Sequence, residues 1–363
     1  MELPFVVLES ADGVIVAEGA LERRRGYDGA MNDGALNDGA WVGAISYDFG
    51  LPDHIVSPAP FIEVPMVDLF RPKRVYRSKI TPVPLTAHRS PLTLERSFTQ
   101  PAFEAAVERA LEYIRAGDIY QVNLSVAERL RIVESPFDIY QRLRAINPSP
   151  WMAYADFGDW QLISGSPELL VEVRDGVAMA RPIAGTRRRT GEPAHDEAMR
   201  RELRSDRKES AEHVMLVDLA RNDLGMVAQY GSVEVAALGR IEEYSHVMHL
   251  VSDVRCRLRP GAAPLDAFRA MFPGGTITGC PKIRSMEIIA ELEPVARGMY
   301  TGALGWWQGG RGQWNILIRS AVVGGGEAVI QAGAGIVADS RPEREWKESL
   351  RKAQALREAF GVA

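Results

Sequence analysis

Two glutamates, Glu209 and Glu212, stand three residues apart in RKESAEHVML, and the spacing returns near the C-terminus in EREWKESL as Glu345 and Glu348. At 3.6 residues per turn, side chains at i and i+3 share a helix face, so each pair is expected to point one way. Solvated helix faces carry such pairs routinely, because glutamate favours helices. The other reading is that both pairs converge on one divalent cation. Carboxylates with no nearby thiol and little histidine suit a hard ion, and Mg2+ takes oxygen ligands together with waters and substrate oxygens. Like charges gathered in one cavity would repel strongly without a cation. The spacing alone leaves both readings open.

Composition narrows the setting. The 363 residues are 46% hydrophobic, enough for one large core or two intimate ones. A net charge of -5 with both signs spread along the chain disfavours a nucleic-acid partner, which calls for a basic patch or stripe. Cys256 and Cys280 cannot form a CxxC metal site, and a reduced, cytoplasmic enzyme is expected. MELPFVVLESADG has early acids and a short apolar run, unlike a signal peptide. No window approaches the ~20 apolar residues of a membrane span, so no membrane partner is expected.

The elements that must carry these residues are readable in outline. FVVLES and WVGAISYDF are strand-like, with the turn-rich NDGALNDG between them, and the prolines of residues 71–100 suggest a connector with an edge strand. PAFEAAVERALEYIRAGD has helical spacing, Pro101 near its start and a stop at Gly117. YQVNLSVAERLRIV, MAYADF, WQLISGS, LLVEVRDG and VAMARPIAG read as strands. Arg200–Asn222 reads as the longest helix, stopped by Asp223 and Gly225. Pro264–Phe272 and Lys282–Leu292 flank the glycine-rich PGGTITGCPK. TGALGWW, WNILIRSAVV and AVIQAGAGIVA are strands before a last helix, Pro342–Phe360. Antiparallel-looking runs with inserted helices make the fold class α+β rather than a doubly wound sheet.

SGSPELL, PIAGTRRR, AEHVMLVDLARNDLG, YSHVMH, MFPGGTITGCPK and QAGAGIVADS, in this order over residues 100–360, resemble the chorismate-utilising synthase family. Its members include the large subunits of anthranilate synthase and aminodeoxychorismate synthase, with isochorismate and salicylate synthases as relatives. Residues 1–100 resemble it only loosely, through VLES and GAISYDFG. The resemblance implies one synthase domain over 1–363, with a short variable part at 1–100 and a catalytic core at 101–363. It implies an anthranilate-synthase-component-I-like fold of two large antiparallel sheets packed as a sandwich with helices outside. It also implies Mg2+ held by Glu212 and Glu348, with Glu209 and Glu345 binding directly or through water, and bridged to the ring carboxylate of chorismate.

Further roles follow from the same resemblance. Arg319 would fork the enolpyruvyl carboxylate, Tyr300 would donate its hydroxyl to it, and the backbone N–H groups of a Gly333–Gly335 turn would approach closely. Glu168 would protonate the departing hydroxyl, which requires a carboxyl whose pKa is raised, as burial would supply. His249 would lie beside the ring, with His246 the lesser candidate, while Gly185, Thr186 and Thr276 shape the pocket floor.

Choice within the family turns on a few positions. Relatives that add water carry a lysine base where this chain has Gln121, and glutamine cannot abstract a proton at neutral pH, which disfavours isochorismate and salicylate products. Ala184 in PIAGT stands where aminodeoxychorismate synthases carry a nucleophilic lysine, and so favours anthranilate. YQVNLS, TITGCPK and the short front end favour aminodeoxychorismate synthase, the expectation adopted, with anthranilate synthase as the alternative. A non-catalytic sensor of the same fold would be expected to lose the ligands or the acid, and all are present. Either enzyme consumes ammonia. Neither cysteine sits in a nucleophile turn, so a separate glutamine amidotransferase subunit is expected to supply it.

Overall fold

The structure, a computed structural model, describes residues 2–10, 13–26, 39–78, 94–243 and 247–362, with the side chains of residues 10, 13–15, 26, 76–78, 207 and 208 outside the description. Most of the NDGALNDG stretch, residues 79–93 of the expected connector, and Tyr244, Ser245 and His246 lie outside the described residues. The strands are β1 Phe5–Ser10, β2 Gly13–Gly26, β3 Ala40–Ile45, β4 Val67–Ser78, β5 Leu94–Arg96, β6 Gln121–Arg131, β7 Trp151–Asp156, β8 Trp160–Ser166 and β9 Leu169–Arg174. They continue as β10 Val177–Ala180, β11 Ile183–Arg188, β12 Glu234–Glu243, β13 Val247–Arg257, β14 Gly279–Cys280, β15 Ala303–Gln308, β16 Arg311–Ile316, β17 Ser320–Gly324 and β18 Glu327–Ile336. The helices are α1 Gln100–Ala116, α2 Pro136–Ile146, α3 Pro193–Ser205, α4 Arg207–Gly225, α5 Pro264–Met271, α6 Lys282–Leu292 and α7 Pro342–Ala359. The mixed helix and antiparallel sheet agree with the α+β expectation.

Two compact units emerge, each assembled from separated stretches of sequence. The larger comprises Met1–Pro167, Ile277–Trp306 and Asn315–Ala363. Its strands pair antiparallel in the order β3–β4–β2–β1–β7–β8–β17–β18–β6, with β5 and β14 at opposite ends of the far edge of β6. Helix α1 forms where the sequence marks it. Thr99 caps its start by accepting from the Ala102 N–H, Pro101 occupies its first turn, and Gly117 ends it in the left-handed conformation at φ 83°. Its inner face buries Phe103, Val107, Ala110 and Leu111 against Val122 and Leu124 of β6 and Trp346 of α7. Each side chain of that size contributes about 1.5–3 kcal/mol by leaving water.

The smaller unit comprises Glu168–Thr276 and Trp307–Trp314. Strand β13 is bonded to β12 on one edge and to β10 and β11 on the other, and β10 continues to β9. Helix α4 lies on this sheet through His213, 2% exposed, whose Nε2 is hydrogen-bonded to Ser252 Oγ of β13. Ser252 Oγ also accepts the Gly239 N–H of β12, so one hydroxyl ties a helix and two strands together.

Three expectations about the frame need correction. The strands described belong to a single hydrogen-bonded sheet and not to two packed as a sandwich. The reason is that interior strands are bonded along both edges, as β7 is between β1 and β8 and β18 between β17 and β6, so the ladder is not interrupted. The connector expected from residue 71 begins as the second half of β4, which pairs with β2 as far as Ser78. The long helix expected over Arg200–Asn222 is two helices. Asp206 breaks it with extended backbone at φ -71° and ψ 109°, and its Oδ1 accepts the Glu209 N–H, capping α4.

Candidate active site

In the smaller unit, two short hydrogen bonds organise residues singled out by the sequence. Glu168, just before β9, is 8% exposed, and Thr276 Oγ1 donates to its Oε1 at 2.6 Å. Thr276 is carried on the 3-10 turn Gly275–Ile277, seated by Gly275. A Cβ there would lie 2.0 Å from Leu219 Cδ2 of α4, so only glycine lets this loop meet the helix. The second bond joins Thr186 Oγ1 to His249 Nδ1 at 3.0 Å, across the β11–β13 register in which the two residues face each other. The Gly185 carbonyl also lies 3.4 Å from Nδ1. Both neighbours lie on the Nδ1 side of the ring and fix its orientation.

Gly185 is a backbone requirement as well as a neighbour. It sits at the register shift between Ala184 and Thr186 with φ 61°. A Cβ there would fall 2.6 Å from Leu203 Cδ1 and 3.0 Å from Glu209 Oε2. The PIAGT bulge and the first carboxylate pair are thus brought together. Arg187 reinforces the contact, its Nη1 donating to Glu209 Oε1 at 3.2 Å and its Nη2 to Asp206 at 3.0 Å. Glu209 and Glu212 are both half-buried on α4, whereas Ala211 and Val214 beside them are exposed.

The larger unit carries the remaining candidates. Gln121 opens β6 and is 3% exposed. Its carbonyl accepts from Ser285 Oγ at 3.1 Å, and a Cβ on Gly279 would lie 2.2 Å from that same carbonyl. The ITGCPK loop therefore rests directly on this position. Tyr300 is buried, and burial holds its hydroxyl well above the ordinary tyrosine pKa, with the nearby Arg297 opposing the shift. It stays a protonated donor at neutral pH.

Arg319 is expected inside a strand, yet it lies between β16 and β17 with left-handed backbone at φ 50°. The apolar run is interrupted where the Ile318 N–H bonds back to the Ile316 carbonyl at 3.0 Å, and the Gly165 N–H bonds to the Arg319 carbonyl at 2.9 Å where the pairing of β8 with β17 begins. A non-glycine residue in this region costs of order 1 kcal/mol or more, and such strain collects at binding and catalytic sites.

The GAG stretch is also corrected. Gly333 and Gly335 are in β18, paired with Ser125 and Asn123 of β6, and do not form a turn. Glycine is required at 333 by crowding, since a Cβ would lie 2.5 Å from the Leu124 carbonyl and 2.7 Å from Asn123 Oδ1. On α7, Glu345 and Glu348 are half-buried on one face. Lys352, one turn beyond Glu348, was not marked by the sequence pattern. Its Nζ donates to the Gly333 carbonyl at 3.0 Å and lies 3.8 Å from Glu348 Oε1, linking the glycine strand to the second carboxylate pair. The i+4 spacing from Glu348 was the available signal.

The donor set of each carboxylate pair, oxygen only and half-buried, has the chemistry a hard divalent cation requires. Among the described residues no group of three or more His, Cys, Asp or Glu side chains is close enough to hold a metal, and Glu209 and Glu212 belong to one unit while Glu345 and Glu348 belong to the other. Neither cysteine is in a disulfide, Cys256 being buried and Cys280 half-buried. Among the described residues no helix is long and apolar enough to cross a membrane.

Residues 63–358 match the chorismate binding enzyme family. Aminodeoxychorismate synthase component 1 of Bacillus subtilis is 52% identical over 267 residues, covering 73% of this chain and 57% of that protein. Anthranilate synthase component 1 of Aquifex aeolicus is 51% identical over 269 residues, covering 74% and 54% respectively. The chain thus spans somewhat more than half the length of these relatives. Among solved structures, anthranilate synthase component I from Streptococcus pneumoniae superimposes with a TM-score of 0.78 at 31% identity, over 97% of this chain and 90% of that one.

Proposed function

Since the chain belongs to the chorismate-binding enzyme family, we propose that it aminates chorismate with ammonia to give 4-amino-4-deoxychorismate, the precursor of 4-aminobenzoate for folate. The family match across residues 63–358 supports a chorismate-using enzyme, and the YQVNLS and TITGCPK segments support this product. Ala184 specifically favours the alternative product, anthranilate, because it removes the lysine nucleophile expected of aminodeoxychorismate synthases.

The substrate is a dianion with a poor leaving group. Mg2+, held by Glu212 and Glu348 with Glu209 and Glu345 beside them, would supply Lewis-acid polarisation of the ring carboxylate when bound. The chain's own groups do the rest. Arg319 forks the enolpyruvyl carboxylate and Tyr300 donates to it, with the backbone of Gly333 and Gly335 close by. Glu168 gives its proton to the ring hydroxyl, which departs as water while ammonia forms the new C–N bond. Thr276 holds the Glu168 carboxyl by its other oxygen. His249, oriented by Thr186, borders the ring. Gln121, lacking basicity, activates no water, which leaves ammonia as the nucleophile. For anthranilate, ammonia would instead add directly at the ring carbon next to the one bearing the carboxylate as the protonated hydroxyl departs as water, and loss of the side chain as pyruvate would follow. A glutamine amidotransferase subunit would deliver the ammonia.

The test is to incubate the chain with chorismate, Mg2+ and ammonium at high pH and separate the products. Aminodeoxychorismate, converted to 4-aminobenzoate by an added lyase, is expected, with glutamine a far poorer nitrogen source than ammonium for the isolated chain. Fluorescent anthranilate with stoichiometric pyruvate would identify the alternative. Chorismate left intact under all conditions would overturn both.

A further inference from the structure

Arg297 is buried in the larger unit with an acceptor for each guanidinium proton, and no step above uses it. Its side chain is 1% exposed and that of Glu293, its partner, 3%. All five guanidinium protons have acceptors. Nε donates to Glu293 Oε2 at 3.0 Å, and Nη2 donates to Glu293 Oε1 at 2.8 Å and to the Asn123 carbonyl at 2.7 Å. Nη1 donates to the Ile277 carbonyl at 2.9 Å and to Thr301 Oγ1 at 3.4 Å. Glu293 is tied in turn to β6, accepting the N–H and the hydroxyl of Ser125 at 2.9 and 2.8 Å. The guanidinium carbon lies 4.8 Å from the Tyr47 ring centroid and 5.6 Å from that of Tyr300.

A buried ion pair is weak evidence of stability, because desolvation offsets most of its attraction. Its placement indicates another use. Thr301, beside Tyr300, is a β-branched residue at φ 60°, a conformation that persists only where the surroundings fix it. Three bonds do so here. Arg297 donates to Thr301 Oγ1, Thr301 Oγ1 donates to the Tyr300 carbonyl at 2.6 Å, and the Thr301 N–H bonds to the Leu317 carbonyl at 2.8 Å. Leu317 stands two residues before Arg319, the second left-handed position of this unit's site.

We propose that Arg297 is a positioning residue that clamps the strained Tyr300–Thr301 turn and so holds the Tyr300 hydroxyl, and through Leu317 the Arg319 fork, in place for the enolpyruvyl carboxylate. This rests on the proposed function. It requires the planar fork of arginine and not merely a positive charge.

The test is a double-mutant cycle between Arg297→Lys and Tyr300→Phe, with chorismate KM and kcat measured at saturating ammonium and Mg2+ and thermal unfolding followed alongside. Lysine keeps Glu293 paired. Arg297→Lys is expected to raise KM about tenfold with kcat changed by less than about threefold. In the Tyr300→Phe background the same change is expected to alter KM by less than about threefold. Thr301→Gly, which suits the positive φ, is expected to raise KM without lowering the thermal midpoint, and covers the case in which Arg297→Lys fails to fold. A purely structural role would lower the midpoint and the active fraction, hence apparent kcat, and leave KM where it was. That result, or fully additive effects in the cycle, overturns the positioning role while the unaltered chain still consumes chorismate. No consumption by the unaltered chain overturns the functional proposal and this one with it.

Discussion

Glu168→Gln is expected to reduce chorismate turnover by about 10²–10⁴-fold, the usual contribution of a positioned general acid, and to leave the chain folded. The amide has the shape of the carboxyl, and its carbonyl can still accept the Thr276 hydroxyl that now donates at 2.6 Å. What it lacks is a transferable proton for the departing hydroxyl. Since Glu168 is 8% exposed, bulk water has little access to take over that task. The loss is therefore expected in kcat, with KM for chorismate changed by less than about threefold. Thr276→Val, which removes only the hydroxyl that orients the carboxyl, is expected to cost less than the loss of the acid itself. Following chorismate consumption with ammonium and Mg2+, and unfolding by circular dichroism, separates the cases. Turnover within about threefold of the unaltered chain would remove Glu168 from the acid role.

Glu348→Gln is expected to abolish most turnover for a different reason. A neutral amide keeps an oxygen but loses the charge that a hard cation selects. Its structural cost is expected to be small. Glu348 pairs along α7 with Arg351, whose side chain is 73% exposed, and lies 3.8 Å from Lys352. Solvent-screened pairs of this kind contribute about 0–1 kcal/mol. A drop in activity with an unchanged thermal midpoint thus marks a lost ligand and not a damaged helix. Raising Mg2+ should recover part of the activity, because the remaining carboxylates still attract it. Near-normal turnover at low Mg2+ would exclude Glu348 as a ligand.

Local signals made much of this chain legible. The ends of α1 were readable because Pro101 and Gly117 act on their own backbone and need no partner. The i+3 carboxylates were placed on helix faces by periodicity alone, and both pairs are half-buried on one face of α4 and α7. Features set by distant contacts were not legible. Arg319 sits in an apolar run that reads as one strand, and the run is split because its second half pairs with β8, far away in sequence, while Arg319 itself takes left-handed backbone. Gly333 and Gly335 suggest a turn to anyone reading residue types, whereas crowding by Asn123 and Leu124 is the reason for the first of them.

The break at Asp206 was within reach, since an aspartate three residues before Glu209 is a helix-start pattern. It was hidden by the helical spacing on both sides. Arg297 was hidden in what reads as a connecting segment, and only the assembled core reveals that all of its protons are used. The choice between the two amination products is equally distributed over several residues. Ala184 points one way and the YQVNLS and TITGCPK segments the other.

Carboxylates from two helices far apart in sequence, α4 and α7, are proposed to serve one metal ion. Titrating the metal-free chain with Mn2+, read by the loss of the free-ion paramagnetic signal and displaced by Mg2+, tests it without reference to turnover. One ion per chain is expected, and Glu212→Gln on α4 and Glu348→Gln on α7 should each weaken that same site severely. Two independent ions, or a site that one of these substitutions leaves at full affinity, would contradict the account.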